Sequence, residues 1–377
     1  MSGLTHRRVA QTAGISLSAT TYHYETKAEM VAHASRELLA RHLQSFRQAA
    51  SDYQNGKVKD RSLDRFVVRV LANAASTSRQ TSLAWCEIML DAARSAEGHE
   101  LARNWFADLE GAWIDLARVM DADIRGWKVQ ITIDTMIGLL FVILPLGLTA
   151  EKLEAFCNGA HPVEVWGLRS ITANDRTQAD RPYSPKAERT RARILDGAIR
   201  ILNRRGAGAV SYRAVDEESG VALTVPAYYF GSIVELVRVA EAQLFYAAKD
   251  RYRQSVATAK PERASMEDLA DVTATILIRE ATEFGLASLA HYSVWLEAAR
   301  SAALRPEVSA AVLDQAQAWQ RRLQGVGPST LNDGVYFQAL FVGQLVRALA
   351  SGAPLNLLST LRSEIFAALN HRFAKDR

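Results

Sequence analysis

The chain has 377 residues, 49% of them hydrophobic and 23% charged, which excludes disordered and fibrous classes and leaves room for two domains with buried cores. A formal charge of +4 permits nucleic-acid binding without demanding it. Only Cys86 and Cys157 occur, with no CxxC spacing, so neither a disulfide framework nor a zinc site is expected, and a reducing cytoplasm is the natural compartment.

The opening residues, "MSGLTHRRVAQ", lack the apolar run of a secretory signal. In "LTHRRVAQTAGISLSATTYHY", Thr5 suits the N-cap of a short helix, and Ala10 is small enough for a close helix contact. Gly14 sits where a turn needs a left-handed backbone, and Ser16 or Ser18 can cap a second helix. The stretch predicts a helix-turn-helix, whose second helix would enter a DNA major groove. Further on, "LAWCEIMLDAARSA" repeats apolar residues at three- and four-residue steps, with Glu87, Asp91 and Arg94 on the other side, the pattern of an amphipathic helix. Ile131 to Thr149 is nearly long and apolar enough to span a bilayer, but Asp134 and Pro145 favour a buried helix of a non-membrane protein.

Residues 172–186, "TANDRTQADRPYSPK", are polar, hold two prolines and read as a linker. A basic stretch follows, with Lys186, Arg189, Arg191, Arg193, Arg200, Arg204 and Arg205 set against Glu188 and Asp196. Taken alone it is a solvated helix face.

Next comes a repeat. "THRRVAQTAGISLSATTYHY" from Thr5 aligns without gaps to "SYRAVDEESGVALTVPAYYF" from Ser211, pairing Gly14 with Gly220 at an offset of 220 minus 14, or 206. The same offset pairs "LDAARSA" at Leu90 with "LEAARSA" at Leu296, and Trp113 with Trp319. Beyond that the register slips by a few residues, the apolar helix near Leu140 matching the one near Leu340. With no alternating strand pattern, the expected fold is all-α: a tandem duplication of a helix-turn-helix bundle plus a helical domain. The expected boundaries are 1–45 and 46–171 for the first copy, 172–186 for the linker, and 187–245 and 246–377 for the second copy. No P-loop, dinucleotide fingerprint, HExxH or nucleophile elbow occurs, and Cys86 lacks a positioned histidine, so no enzyme and no cofactor are expected.

"RRVAQTAGISLSATTYHYETKAEMV" resembles the DNA-binding region of the TetR family of bacterial transcriptional regulators. The second copy, "KAERTRARILDGAIRILNRRGAGAVSYRAVDEESGV", is similar. The resemblance implies DNA-binding heads, helical ligand-binding domains, and pairing of the apolar helices near Leu140 and Leu340 in a four-helix interface. One chain would then form an intramolecular pseudo-dimer, with further homodimerisation left open. Double-stranded DNA and a small-molecule effector are the implied partners. Such a protein is most simply a repressor released by its effector; the alternative is a helical effector-binding or protein-interaction module that has lost DNA binding.

In the first head the candidate DNA contacts are Thr5, Arg7, Arg8, Ser16, Ser18, Thr20, Thr21, Tyr22, His23 and Lys27; by resemblance Tyr22, His23 and Lys27 meet phosphate. In the second they are Arg213, Thr224, Tyr228 and Tyr229. The second copy departs from the pattern at Asp216, Glu217 and Glu218, at Pro226, and at Ile233, which stands where the first has Lys27. Each change weakens phosphate contact, so any operator should be asymmetric. Effector-pocket candidates are Trp85, Met89, Trp105, Phe106 and Trp113 in the first copy and His291, Trp295 and Trp319 in the second. Tryptophans at helical spacing are more often core. Ala187 to Arg205 precedes the second motif, while Met1 aligns with Ala207. Either translation starts upstream of Met1 or the first head lacks a supporting wall.

Overall fold

The computed structural model describes residues 5–120, 126–168, 184–206, 209–257 and 265–373, and among these every regular element is helical. The first half runs α1 His6–Ala13, α2 Leu17–His23, α3 Lys27–Gln54, α4 Leu63–Ala75, α5 Arg79–Ala92, α6 Ala96–Val119, α7 Gly126–Leu146, α8 Ala150–Cys157 and α9 Pro162–Trp166. The second runs α10 Pro185–Arg205, α11 Tyr212–Ser219, α12 Val225–Phe230, α13 Ile233–Ala257, α14 Met266–Thr282, α15 Gly285–Glu297, α16 Arg305–Leu323, α17 Leu331–Ala350, α18 Leu355–Leu358 and α19 Leu361–Phe373. The expected linker lies outside the described residues up to residue 183; Ser184 caps α10, with Pro185 at its first position, where the missing N–H costs nothing.

The centre of the molecule is the crossing of α7 and α17. A Cβ added to Gly138 would stand 1.7 Å from the Ala339 carbonyl oxygen, and one added to Gly343 would stand 1.7 Å from that of Asp134. Only glycine admits so close a backbone approach. The two separations agree, 343 minus 138 and 339 minus 134 both being 205. Around the crossing Phe141, Val142, Ile143, Leu340, Val342 and Leu345 are at most 1% exposed. α19 packs against α14 and α7, and α8 against α4.

The apolar segment from Ile131 is thus interior. The membrane-length stretch Lys128–Leu146 has 83% of its window buried within the protein. Asp134, fully buried on α7, accepts two hydrogen bonds from Arg347 on α17, at 3.0 Å from Nε and 2.8 Å from Nη2. Arg347 Nη2 also donates to Glu364 of α19 at 2.7 Å. Gln130 donates to Asp134 at 3.0 Å and Gln344 to Glu364 at 3.1 Å. One guanidinium thus serves two carboxylates. Burial raises the Asp134 carboxyl to about 7, against the pull of Arg347 and with a further push from Glu364.

The expected boundaries at residues 45 and 245 fall inside α3 and α13, which run straight through them. The second helix pair has its own apolar cluster, including Ile194, Ala198, Ile201, Val215, Phe230 and Leu236. In the first pair Ala10 and Met30 are buried but join neither cluster.

Candidate functional site

Two short helix pairs share their cap chemistry. Thr5 Oγ1 accepts from the Arg8 N–H at 3.2 Å, and Ser211 Oγ accepts from the Ala214 N–H at 3.2 Å. The first helix of each pair ends on a left-handed glycine, Gly14 at φ +66° and Gly220 at φ +63°. Of the two candidate serines, Ser16 is the cap of α2, accepting from the Ala19 N–H at 3.1 Å, while its Oγ lies 2.9 Å from that of Ser18.

Beyond the caps the pairs diverge. On α2, Tyr22 is 85% exposed with His23 edge-on to its ring at 5.2 Å. Arg7, Arg8, Thr21, His23 and Lys27 are also exposed. Thr20 is not available to a partner, because it is buried and its hydroxyl donates to the Leu17 carbonyl at 2.7 Å. Tyr24 is half-buried against His33. On the second pair Tyr228 is 80% exposed and edge-on to the half-buried Tyr229. Here α12 starts only at Val225, with Pro226 in its first turn and no side-chain bond from Thr224 to its end. In the 206-residue register α2 would predict a start at Leu223, so the residues that would lead the helix form a turn instead.

The basic stretch on α10 is largely exposed, as a solvated helix face, with several of its arginines bonded to neighbouring helices. Arg200 pairs with Glu218 at 2.6 Å and donates to its carbonyl at 2.9 Å, and Arg204 lies 3.8 Å from the same carboxylate. These bonds hold Glu218 below the usual carboxylate range. Arg193 donates to the Gly220 carbonyl at 3.1 Å, and Arg191 lies over the Phe230 ring. Arg213 pairs with Glu217 one turn along at 3.0 Å.

α10 packs against α11, α13 and α15. In the first half a cleft of about 790 Å³ opens between α1, α3 and α5, lined by Val9, Val31, Leu38 and Ile88, with Glu297 and Arg300 at its edge. In the 206-residue sequence register these three helices align with α11, α13 and α15, the helices on which α10 packs.

Most effector-pocket candidates are core. Trp85, Met89 and Trp113 are at most 2% exposed, Trp113 is enclosed by Phe46 and Phe66 at 5.4 and 5.7 Å, and Trp105 donates to the Leu39 carbonyl at 3.2 Å. Phe106 packs against Trp105. His291 and Trp295 pack with tilted rings in the core, and burial drops the His291 imidazole to about 3. Trp319 lines a cavity of about 70 Å³ between α14, α15, α16 and α17 that also meets Thr273, Tyr292, Arg322, Gln338 and Phe341. Sequence reasoning missed its polar members. The signal was present in the repeat, where Arg322 stands against Leu116 and Thr273 against Val67. Among the described residues no three His, Cys, Asp or Glu side chains converge as metal ligands, and Cys86 is buried with its thiol pushed up by desolvation. Set beside known proteins, the chain matches no family model and no curated protein.

Proposed function

We propose that the chain is a ligand-responsive transcriptional regulator of TetR-like organisation, two modules fused in tandem, with the first helix pair as its principal DNA-reading head. The observation that carries this reading is the exposure of Tyr22 and Tyr228, at 85% and 80%. Large aromatics gain most by burial, and two left in water at one register of two short helices mark a surface built for a partner. His23 lies edge-on to Tyr22, and Arg7, Arg8 and Lys27 of the neighbouring helices are exposed, donors suited to phosphate, while Ser18 and Thr21 offer hydroxyls to base edges.

The duplication is supported by element starts. α1 and α11 begin at 6 and 212, α3 and α13 at 27 and 233, and α5 and α15 at 79 and 285, each separated by 206. The second head is the weaker reader, since its arginines are paired internally and its recognition helix is cut short. The operator is therefore asymmetric. The body responds to a small effector, and helices shared between head and body carry the response: α15 places Ala290 in the apolar cluster of the second head and Tyr292 at the cavity. Coupling of this kind needs only a ligand with different affinities for two head spacings. Repression relieved by the effector is the simplest sign of control.

A second reading, an effector-binding module without DNA activity, is favoured by one observation: Glu218 and Glu217 take up Arg200 and Arg213. Footprinting on the DNA flanking the protein's own gene separates the two. The regulator reading expects a protected segment with unequal halves, weakened by Tyr22→Ala; absence of any protection on that DNA sinks it.

A further inference from the structure

In the second half, the cavity between α14 and α17 combines features that a filled core does not have. Thr273 is 3% exposed and Gln338 1% exposed, yet Thr273 Oγ1 and Gln338 Oε1 have no hydrogen-bond partner. Gln338 spends its amide N–H on Gln315 at 2.8 Å, which orients the orphaned carbonyl. Arg322 reaches the same space with its guanidinium 5.6 Å from the Trp319 ring centre. Among the described residues its one charged neighbour is Arg321, and no carboxylate is set against it. Buried polar atoms are paired in nearly all proteins, and an unpaired one calls for an unseen partner.

The repeat sharpens the contrast. In the 206-residue register, Thr273, Gln315 and Arg322 stand against Val67, Leu109 and Leu116, while Val272 stands against Phe66. In the first half Phe66 and Phe46 close on Trp113, and Leu109 and Leu116 are at most 1% exposed. The first half is plugged by its own rings. The second has lost one plug and gained a cation, an amide and a hydroxyl in its place.

We propose that this cavity binds a small hydroxycarboxylate with a short apolar body, its carboxylate paired with Arg322, its hydroxyl donating to Gln338 Oε1, and its body held against Trp319, Tyr292 and Phe341. The volume of about 70 Å³ admits a body of few heavy atoms, larger than one or two waters. A planar guanidinium and a carboxylate make paired, charge-assisted hydrogen bonds, and Thr273 can donate to the same head group. Burial already holds the Arg322 guanidinium down to about 10, so an arriving anion restores what desolvation takes away. The effector role of this ligand rests on the regulator reading; its binding does not.

The test uses the full chain without DNA, so that a failure of DNA binding leaves it intact. Lactate and the neutral lactamide are titrated by calorimetry into wild type, Arg322→Gln and Phe66→Leu, with circular dichroism as a check on folding. Saturable lactate binding, at least about tenfold tighter than lactamide, is expected in wild type and in Phe66→Leu, with the preference lost in a folded Arg322→Gln. Equal affinity for the two probes in wild type, no heat at millimolar lactate, or a preference that survives Arg322→Gln overturns the proposal.

Discussion

Replacing Arg347 by methionine removes the one cation in the α7–α17 crossing and leaves Asp134 and Glu364 facing each other. Arg347 makes bonds of 3.0 and 2.8 Å to Asp134 and 2.7 Å to Glu364, and Asp134 is fully buried. Breaking a buried pair from one side costs about 3–5 kcal/mol, because a charge is stranded. The cost must depend on pH. In the native protein the Asp134 carboxyl is raised by burial to about 7, above its unfolded value of 3.8. A raised acid imposes no penalty below its unfolded pKa, where it is protonated in both states, and the penalty grows until pH passes the folded value. Wild-type stability from this group therefore falls between about pH 4 and pH 7 and levels off above. Without Arg347 the folded pKa climbs further, so the loss continues past neutrality. Urea denaturation should show a destabilisation of Arg347→Met near 1 kcal/mol at pH 4.5 and about 2–3 kcal/mol at pH 8, because the Asp134 linkage adds only about 1.4 kcal/mol over the one pH unit above its wild-type value. Adding Asp134→Asn to Arg347→Met should recover a large part of the loss at pH 8. The same destabilisation at both pH values, or no recovery, refutes the assignment of the strain to stranded charge.

Gly343→Ala puts a methyl group 1.7 Å from the Asp134 carbonyl oxygen, where both sides are backbone and neither rotates away; a loss of about 3 kcal/mol or more in urea denaturation is expected. Glu241 is 3% exposed and pushed up to about 7 by burial and by Glu297. Its charge is a cost above pH 7 that vanishes below about pH 4, so Glu241→Gln should stabilise by about 2–3 kcal/mol at pH 8 and leave the pH 4 midpoint unchanged. Lys27→Ala should weaken DNA binding and reduce the slope of log K against log salt by about one unit. Arg213→Ala, already tied to Glu217, should change neither, as measured by anisotropy on the same duplex.

The short-range chemistry of this fold was legible in the sequence. Thr5, Gly14, Ser211 and Gly220 cap and turn as their residue types predict, because a cap is settled within three or four positions. The buried nature of the segment from Ile131 was also legible, since Asp134 argued against lipid. Its partner was not: Arg347 lies 213 positions away, and nothing local distinguishes it from a surface arginine. The α10 arginines read as an exposed face and are one, Arg189, Arg193, Arg200, Arg204 and Arg205 all being exposed; what the sequence hid is the pairing of Arg200 and Arg204 with Glu218, because that acid belongs to the next helix. Tryptophan spacing could not separate Trp319 at a cavity from Trp113 in a sealed core. The difference rests on neighbours from other helices, Phe66 against Val272 and Leu116 against Arg322, and becomes visible only when the two halves are compared position by position.

The central claim, that the first helix pair reads DNA, is tested most directly by the affinity of the full chain for the duplex flanking its own gene, set against an unrelated duplex at matched salt. Specific binding at least about a thousandfold tighter than the unrelated duplex, and reduced by Tyr22→Ala, is the predicted result. Equal affinity for the two duplexes, or a specific affinity unmoved by Tyr22→Ala, contradicts it.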